Sequence, residues 1–199
     1  MKNKTRSTIL LTLAFLLTIG APVLAADYTI DNTHSRIGFQ IKHLTISKVN
    51  GSFDDFVGTF TFTEGDPASW QVEATIQIGS IDTDHEDRDN HLLSDEFFDV
   101  EKFPTMIFKS TSISMSDKTE GKVTGELTMR DVTKTVVLDL EYNGSVVDPW
   151  GNERAGFSAT GKINRKDWGL SYNSVLEAGG MMLGEEVKIS LDIEGIKAK

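Results

Sequence analysis

The side chains best equipped for chemistry crowd into one stretch, Asp82-Thr83-Asp84-His85-Glu86-Asp87-Arg88-Asp89-Asn90-His91, which mixes carboxylates, two imidazoles and a guanidinium. Donors of these kinds suit a metal ion, but the spacing fits no template. A calcium loop begun at Asp82 puts Asp87 where the sharp turn needs glycine and Leu93 where a bidentate Glu belongs. His85 and His91 are six residues apart, which on a helix sets them on different faces. No metal site is expected.

Covalent catalysis finds as little support. There is no Cys and no Gly-x-Ser-x-Gly elbow. The carboxylate pairs Asp54-Asp55 and Glu185-Glu186 are sequence neighbours, which point to opposite faces of a strand or sit solvated at turns. With no phosphate-binding glycine loop either, neither a catalytic residue nor a cofactor is expected. His43, Arg88 and His91 remain, and two readings stay open for them. They are structural groups tied to nearby carboxylates or carbonyls, with Asp89 as ion-pair partner of Arg88. Alternatively they form a polar mouth that hydrogen-bonds the hydroxyl, carbonyl, quinone oxygen or phosphate of an amphiphile's head.

The elements around these residues follow from periodicity. Thr83 and Glu86 have capping-box spacing, so a helix is expected to begin at Asp84, with Leu92 and Leu93 turned inward. Phe97, Phe98, Val100 and Phe103 follow, and Pro104 ends any helix. Elsewhere apolar residues recur with period two: Ile37, Phe39, Ile41; Phe60, Phe62; Trp70, Val72, Ala74, Ile76, Ile78. After the helical interruption come Met106 with Phe108, then Val123, Leu127 and Met129, then Val136 to Tyr142, then Phe157, Ala159 and Ile163, and finally Val187 to Ile193.

Breaks are expected at Gly65-Asp66-Pro67, Gly121, Arg130-Asp131, Asp148-Pro149-Trp150-Gly151 and Gly179-Gly180. The pattern is all-β, about eight or nine antiparallel strands with a short helix and loop near residues 83–103. Alternation alone leaves a closed barrel and a two-sheet sandwich open. The inward aromatic set, with Phe39, Phe62, Phe97, Phe98, Phe108, Met129, Phe157 and Trp168 as candidates, either fills a core or lines a cavity for an elongated apolar ligand.

Residues 1–25 read as a cleaved signal peptide: Lys2, Lys4 and Arg6 precede an apolar run from Ile9 to Ile19, and Pro22, Val23 and Ala25 lead to a small-residue cleavage site. The run is shorter than the ~20 residues of a spanning helix. Residues 26–199 then form one domain. Without the three leader cations, 17 basic side chains face 30 acidic ones, a formal charge of −13. That argues against nucleic acid and against anionic membrane surfaces as partners. A cysteine-free exported chain suits a bacterial periplasm.

Several pieces together resemble the YceI-like family of periplasmic lipid-binding proteins. They begin with Asp31-x-x-His34-Ser35, Lys42-His43-Leu44, Gly51-Ser52-Phe53 and Ser80-Ile81-Asp82-Thr83. Arg88-Asp89-x-His91-Leu92-x-Ser94, Phe97-Phe98-Asp99-Val100-x-Lys102-x-Pro104 and Leu127-Thr128-x-Arg130-Asp131-Val132-Thr133-Lys134 follow. Asp148-Pro149-Trp150-Gly151, Arg154-Ala155-Gly156-Phe157 and Arg165-x-Asp167-Trp168-Gly169 extend the likeness across the mature chain. Arg130-Asp131 departs from the small turn residues usual before Val132, and Trp168 stands where Phe is usual.

The resemblance implies an extended, lipocalin-like antiparallel barrel whose tunnel holds a polyisoprenoid or similar long-chain lipid, often in a homodimer. It carries no implication of stable membrane insertion. A Trp168 ring pointing inward would shorten such a tunnel. Two other functions compete with a carrier: an enzyme acting on a lipid head group through Arg88, Asp89 and His91, and an interaction module with a filled core.

Overall fold

The computed structural model describes residues 25–176 and 180–199. The expected leader lies outside these residues except for Ala25, and so does Gly179 of the expected Gly179-Gly180 break. Eleven strand segments make one sheet. The first six are halves of three bent strands. β1 (Ala26–Ile30) and β2 (Arg36–His43) both run antiparallel to β11 (Leu183–Lys197), with Ile30 opposite Gly195 and Arg36 opposite Asp192. β4 (Phe56–Phe62) pairs with β1 and β3 (Ser47–Phe53) with β2, the bend falling at Asp54-Asp55. β5 (Gln71–Gln77) lies on β4 and β6 (Ile81–Asp82) on β3, with a turn at Ile78–Ser80 between them.

β7 (Thr105–Met115), β8 (Glu120–Met129), β9 (Val132–Val147) and β10 (Glu153–Asn164) then pair in sequence order, from β5 round to β11. Counting each bent pair once, eight up-and-down antiparallel strands close on themselves. Closure removes the free sheet edges that a sandwich would keep, so the barrel reading holds.

The turns carry the chemistry that closure needs. Arg130 and Asp131, at φ 50° and 58°, make a two-residue hairpin between β8 and β9, the left-handed pair that matches the twist of the flanking strands. Gly121, expected as a break, instead lies inside β8 opposite Met115 and Leu140. Ile78, expected on a strand, begins the turn that bends β5 into β6.

After β6 the chain leaves the sheet and α1 (Glu86–Leu93) forms. Its start differs from the expected capping box. The Asp82 carboxylate accepts the Asp84 N–H at 2.7 Å, an Asx turn that holds Asp84 at φ 60°, where no right-handed helix can begin. His85 takes the cap, its Nδ1 accepting the Arg88 N–H at 3.3 Å. Acidic Glu86, Asp87 and Asp89 occupy the first turn and His91 the last, as the helix dipole favours. Among the described residues no helix is long and apolar enough to cross a membrane.

Candidate functional site

The barrel encloses a cavity of about 450 Å³, within the roughly 300–1,000 Å³ range of ordinary ligand sites. Its walls are the inward faces of the alternating strands. Ile37, Phe39 and Ile41 come from β2, and Ile189, Leu191 and Ile193 from β11. Glycines set aside room for the rings. A Cβ on Gly51 would stand 2.4 Å from the Phe39 ring, and one on Gly125 2.4 Å from the Phe108 ring. Those two rings therefore lie against bare backbone and leave the lumen open.

One end of the cavity is polar. Thr83, only 4 % exposed, holds it together: its N–H and hydroxyl both donate to Asp89 Oδ1, at 3.0 and 2.5 Å. Arg88 Nε donates to the Thr83 hydroxyl at 2.7 Å and Nη2 to its carbonyl. Arg88 and Asp89 thus meet on Thr83 rather than as the expected ion pair. His91 Nε2 is 2.6 Å from Glu96 Oε2, and its ring meets Phe97 and Tyr172 edge to face at 5.0 Å each. His43 stands opposite Leu183 across β2 and β11, so it reaches the same end. Backbone bonds from Phe98 to Leu92 and from Val100 to Leu93 fold the Phe97-Phe98 loop back on α1.

The opposite end is packed with aromatic rings. Tyr28 stacks on Phe60 at 5.0 Å, and Phe62, Trp70, Tyr142 and Phe157 close in at 4.9–6.0 Å. Burial, with the Glu153 carboxylate beside it, pushes the Tyr28 phenol well above its ordinary value, and its hydroxyl donates to Glu153 Oε1 at 2.8 Å. The rings seal this end by dispersion and burial.

The YceI-like domain family matches residues 28–195, nearly all of the barrel. The chain belongs to the YceI-like family. Protein YceI of Salmonella newport is 43 % identical over 190 residues, covering 94 % of this chain and 96 % of that protein. The Campylobacter jejuni YCEI crystal structure is similar at 30 % identity with a TM-score of 0.69, covering 95 % of this chain and all of that one. A polyisoprenoid binding domain from Saccharophagus degradans, implicated in plant cell wall breakdown, shares the fold at 14 % identity and a TM-score of 0.64, covering 86 % of this chain and 98 % of its own.

In this YceI-like barrel, Phe39, Phe97, Phe98, Phe108, Met129 and Phe157 line the cavity, and so do His43, Arg88 and His91. Phe62 and Trp168, also expected to line it, do not stand among the lining residues. Phe62 lies within the aromatic seal, in contact with Tyr28 and Trp70. Trp168 sits in a short turn after β10, buried, with its indole N–H on the Leu127 carbonyl at 3.0 Å. Sequence reasoning missed Thr83, Tyr172 and Arg165 as lining residues. Arg165 was within reach: the alternation Phe157, Ala159, Gly161, Ile163 continues onto it.

Outside the barrel, Asp31, His34 and Glu194 bring acid and imidazole atoms within 4.8 Å of one another. The Arg154 guanidinium already occupies this cluster. Nη1 bonds Asp31 at 2.8 Å and also Glu194, while Nε bonds Asp148 at 2.8 Å. Hydrogen bonds from Thr33, His34 and Arg154 hold the Asp31 carboxyl far below its usual range. For Asp148, burial pushes upward, but bonds from Arg154, Asn152 and two backbone N–H groups more than offset it and hold it low. One fixed cation thus bridges three carboxylates, which makes the cluster a structural clasp where β11 passes from β1 to β2.

Proposed function

We propose that this protein is a periplasmic carrier, not an enzyme, that encloses a polyisoprenoid or similar long-chain amphiphile inside its barrel. The observation that carries the proposal is the apolar cavity of about 450 Å³ inside the barrel. Each methylene moved there from water contributes about 0.8 kcal/mol before ordering costs, so a long tail binds without any polar contact. Phe39, Phe97, Phe98, Phe108, Met129 and Phe157 would contact the tail, and His43, Arg88 and His91 the head group. The fold shared with the Saccharophagus degradans domain supports the same reading. Export by the leader would place the carrier in the periplasm, and a homodimer is the proposed working form.

Native mass spectrometry of the gently purified, exported protein tests the proposal. A co-purifying mass that organic extraction removes, and that long-chain isoprenoids restore, is the expected result. A bare protein mass together with no uptake of any isoprenoid or fatty chain would refute the carrier. The same spectra report whether the dimer mass is present.

A further inference from the structure

Arg165 is 3 % exposed and forms part of the cavity wall. Its Nε donates to the Gly184 carbonyl at 2.9 Å and Nη1 to the Leu170 carbonyl. Nη2 has no hydrogen-bond partner among the described residues. No carboxylate forms an ion pair with this guanidinium there either. Glu185, the acid whose field reaches it, is bound by Lys166 Nζ at 2.5 Å. Burial pushes the Arg165 guanidinium below its ordinary value, yet arginine keeps its proton in proteins. The result is a buried positive charge with two carbonyls and no counter-ion, an arrangement proteins rarely leave without a purpose.

The surroundings say where a counter-ion would come from. Leu170, Tyr172 and Leu183, beside Arg165, all line the cavity, and the Tyr172 ring touches His91. Arg165 therefore belongs to the polar end, where the head of a bound amphiphile would lie. Arg88, the arginine singled out by sequence, ties its Nε and Nη2 to Thr83 and is only half-buried, so its remaining Nη1 is not cut off from solvent as Arg165 is. Arg165 Nη2 is buried without a hydrogen-bond partner among the described residues, so the guanidinium charge, left uncompensated by the protein at the cavity wall, favours an acceptor on the occupant.

We propose that Arg165 is the head-group site of the barrel and selects amphiphiles that end in an oxyanion, a phosphate or a carboxylate, over neutral ones of the same chain. This rests on the carrier reading and deepens it. A charge-assisted bond to an otherwise uncompensated cation is worth far more than a bond to a hydroxyl, whereas the apolar tail contributes equally to both ligands.

The test uses the exported protein stripped of lipid, titrated by tryptophan fluorescence with two matched pairs: geranylgeranyl phosphate against geranylgeraniol, and palmitate against hexadecanol. The wild type is expected to bind the anionic member of at least one pair about tenfold tighter or more. The pair with the larger ratio identifies phosphate or carboxylate as the preferred oxyanion. Arg165→Met is expected to abolish that preference, bringing the affinities within each pair together. Equal affinity within both pairs in the wild type overturns the site, and so does a preference that survives Arg165→Met. If loss of the two carbonyl contacts keeps Arg165→Met from folding, the wild-type ratio and Arg165→Lys, which retains the charge and should retain a preference, decide instead. Failure of all four ligands to bind the wild type overturns the carrier reading itself, whereas tight alcohol binding without an anion preference overturns only the Arg165 site.

Discussion

Arg154 and Arg165 stand at opposite ends of β10, one in its first turn of pairing and the other just past its last residue, and their charges are treated in opposite ways. Arg154 lies on the outer side of the barrel and is ringed by Asp31, Asp148 and Glu194. Arg165 lies on the inner side, more deeply buried, with two carbonyls and a free Nη2. A guanidinium surrounded by carboxylates has its desolvation offset within the protein and holds elements together. One left without a counter-ion does not, and the difference separates a clasp from a site.

Removing the clasp should have the largest effect on the fold. Arg154→Met leaves three carboxylates facing one another, and its Tm is expected to fall by roughly 5–10 °C in a calorimetric scan; an unchanged Tm would mean the clasp holds nothing. Acid should erase the same difference. Asp31 and Asp148 have depressed values in the folded state, so their contribution is complete above roughly pH 4, where the unfolded chain titrates, and is lost as pH falls further. Urea unfolding from pH 7 down to 2 should show wild type and Arg154→Met converging below roughly pH 4. Parallel curves would contradict the assignment.

A smaller loss is expected at the polar end, where Thr83 ties Asp89 to Arg88. Thr83→Val keeps the shape and removes the hydroxyl, and should lower Tm by roughly 3–5 °C, measurable by circular dichroism. The smallest change belongs to Arg165→Met in the ligand-free protein. Its lost carbonyl bonds are counterbalanced by relief of a buried charge, so Tm should stay within about 3 °C of wild type. A fall as large as that of Arg154→Met would make the two arginines alike and remove the contrast between them.

Much of the barrel was legible because each strand buries one face. The sets around Phe39, Phe108, Met129 and Ile189 all point to the lumen, as period two requires. What alternation does not encode is height along the barrel axis. Phe62 points inward like its neighbours but is covered by the Tyr28, Trp70, Tyr142 and Phe157 rings, of which Trp70 and Phe157 face the cavity in its place. Trp168 falls in a turn after β10, beyond the reach of strand periodicity. Arg165 continues the inward alternation, yet a charged residue reads as solvated until its burial is seen. The helix start was misplaced because Asp82 and Asp89 compete locally for Asp84 and Thr83, and a capping-box spacing does not reveal which bond forms first.

The amino-acid sequence alone determined the all-β class, the helical interruption near residue 86, the inward aromatic set and the YceI-like likeness, since all of these rest on local spacing and residue type. Only the tertiary structure decided that three bent strands bring the count to eight, that one end is packed with rings, and that Arg165 is buried with an unpartnered Nη2. Those outcomes depend on which residues meet across the barrel, at separations no local pattern records, and burial and hydrogen-bond satisfaction exist only once they have met.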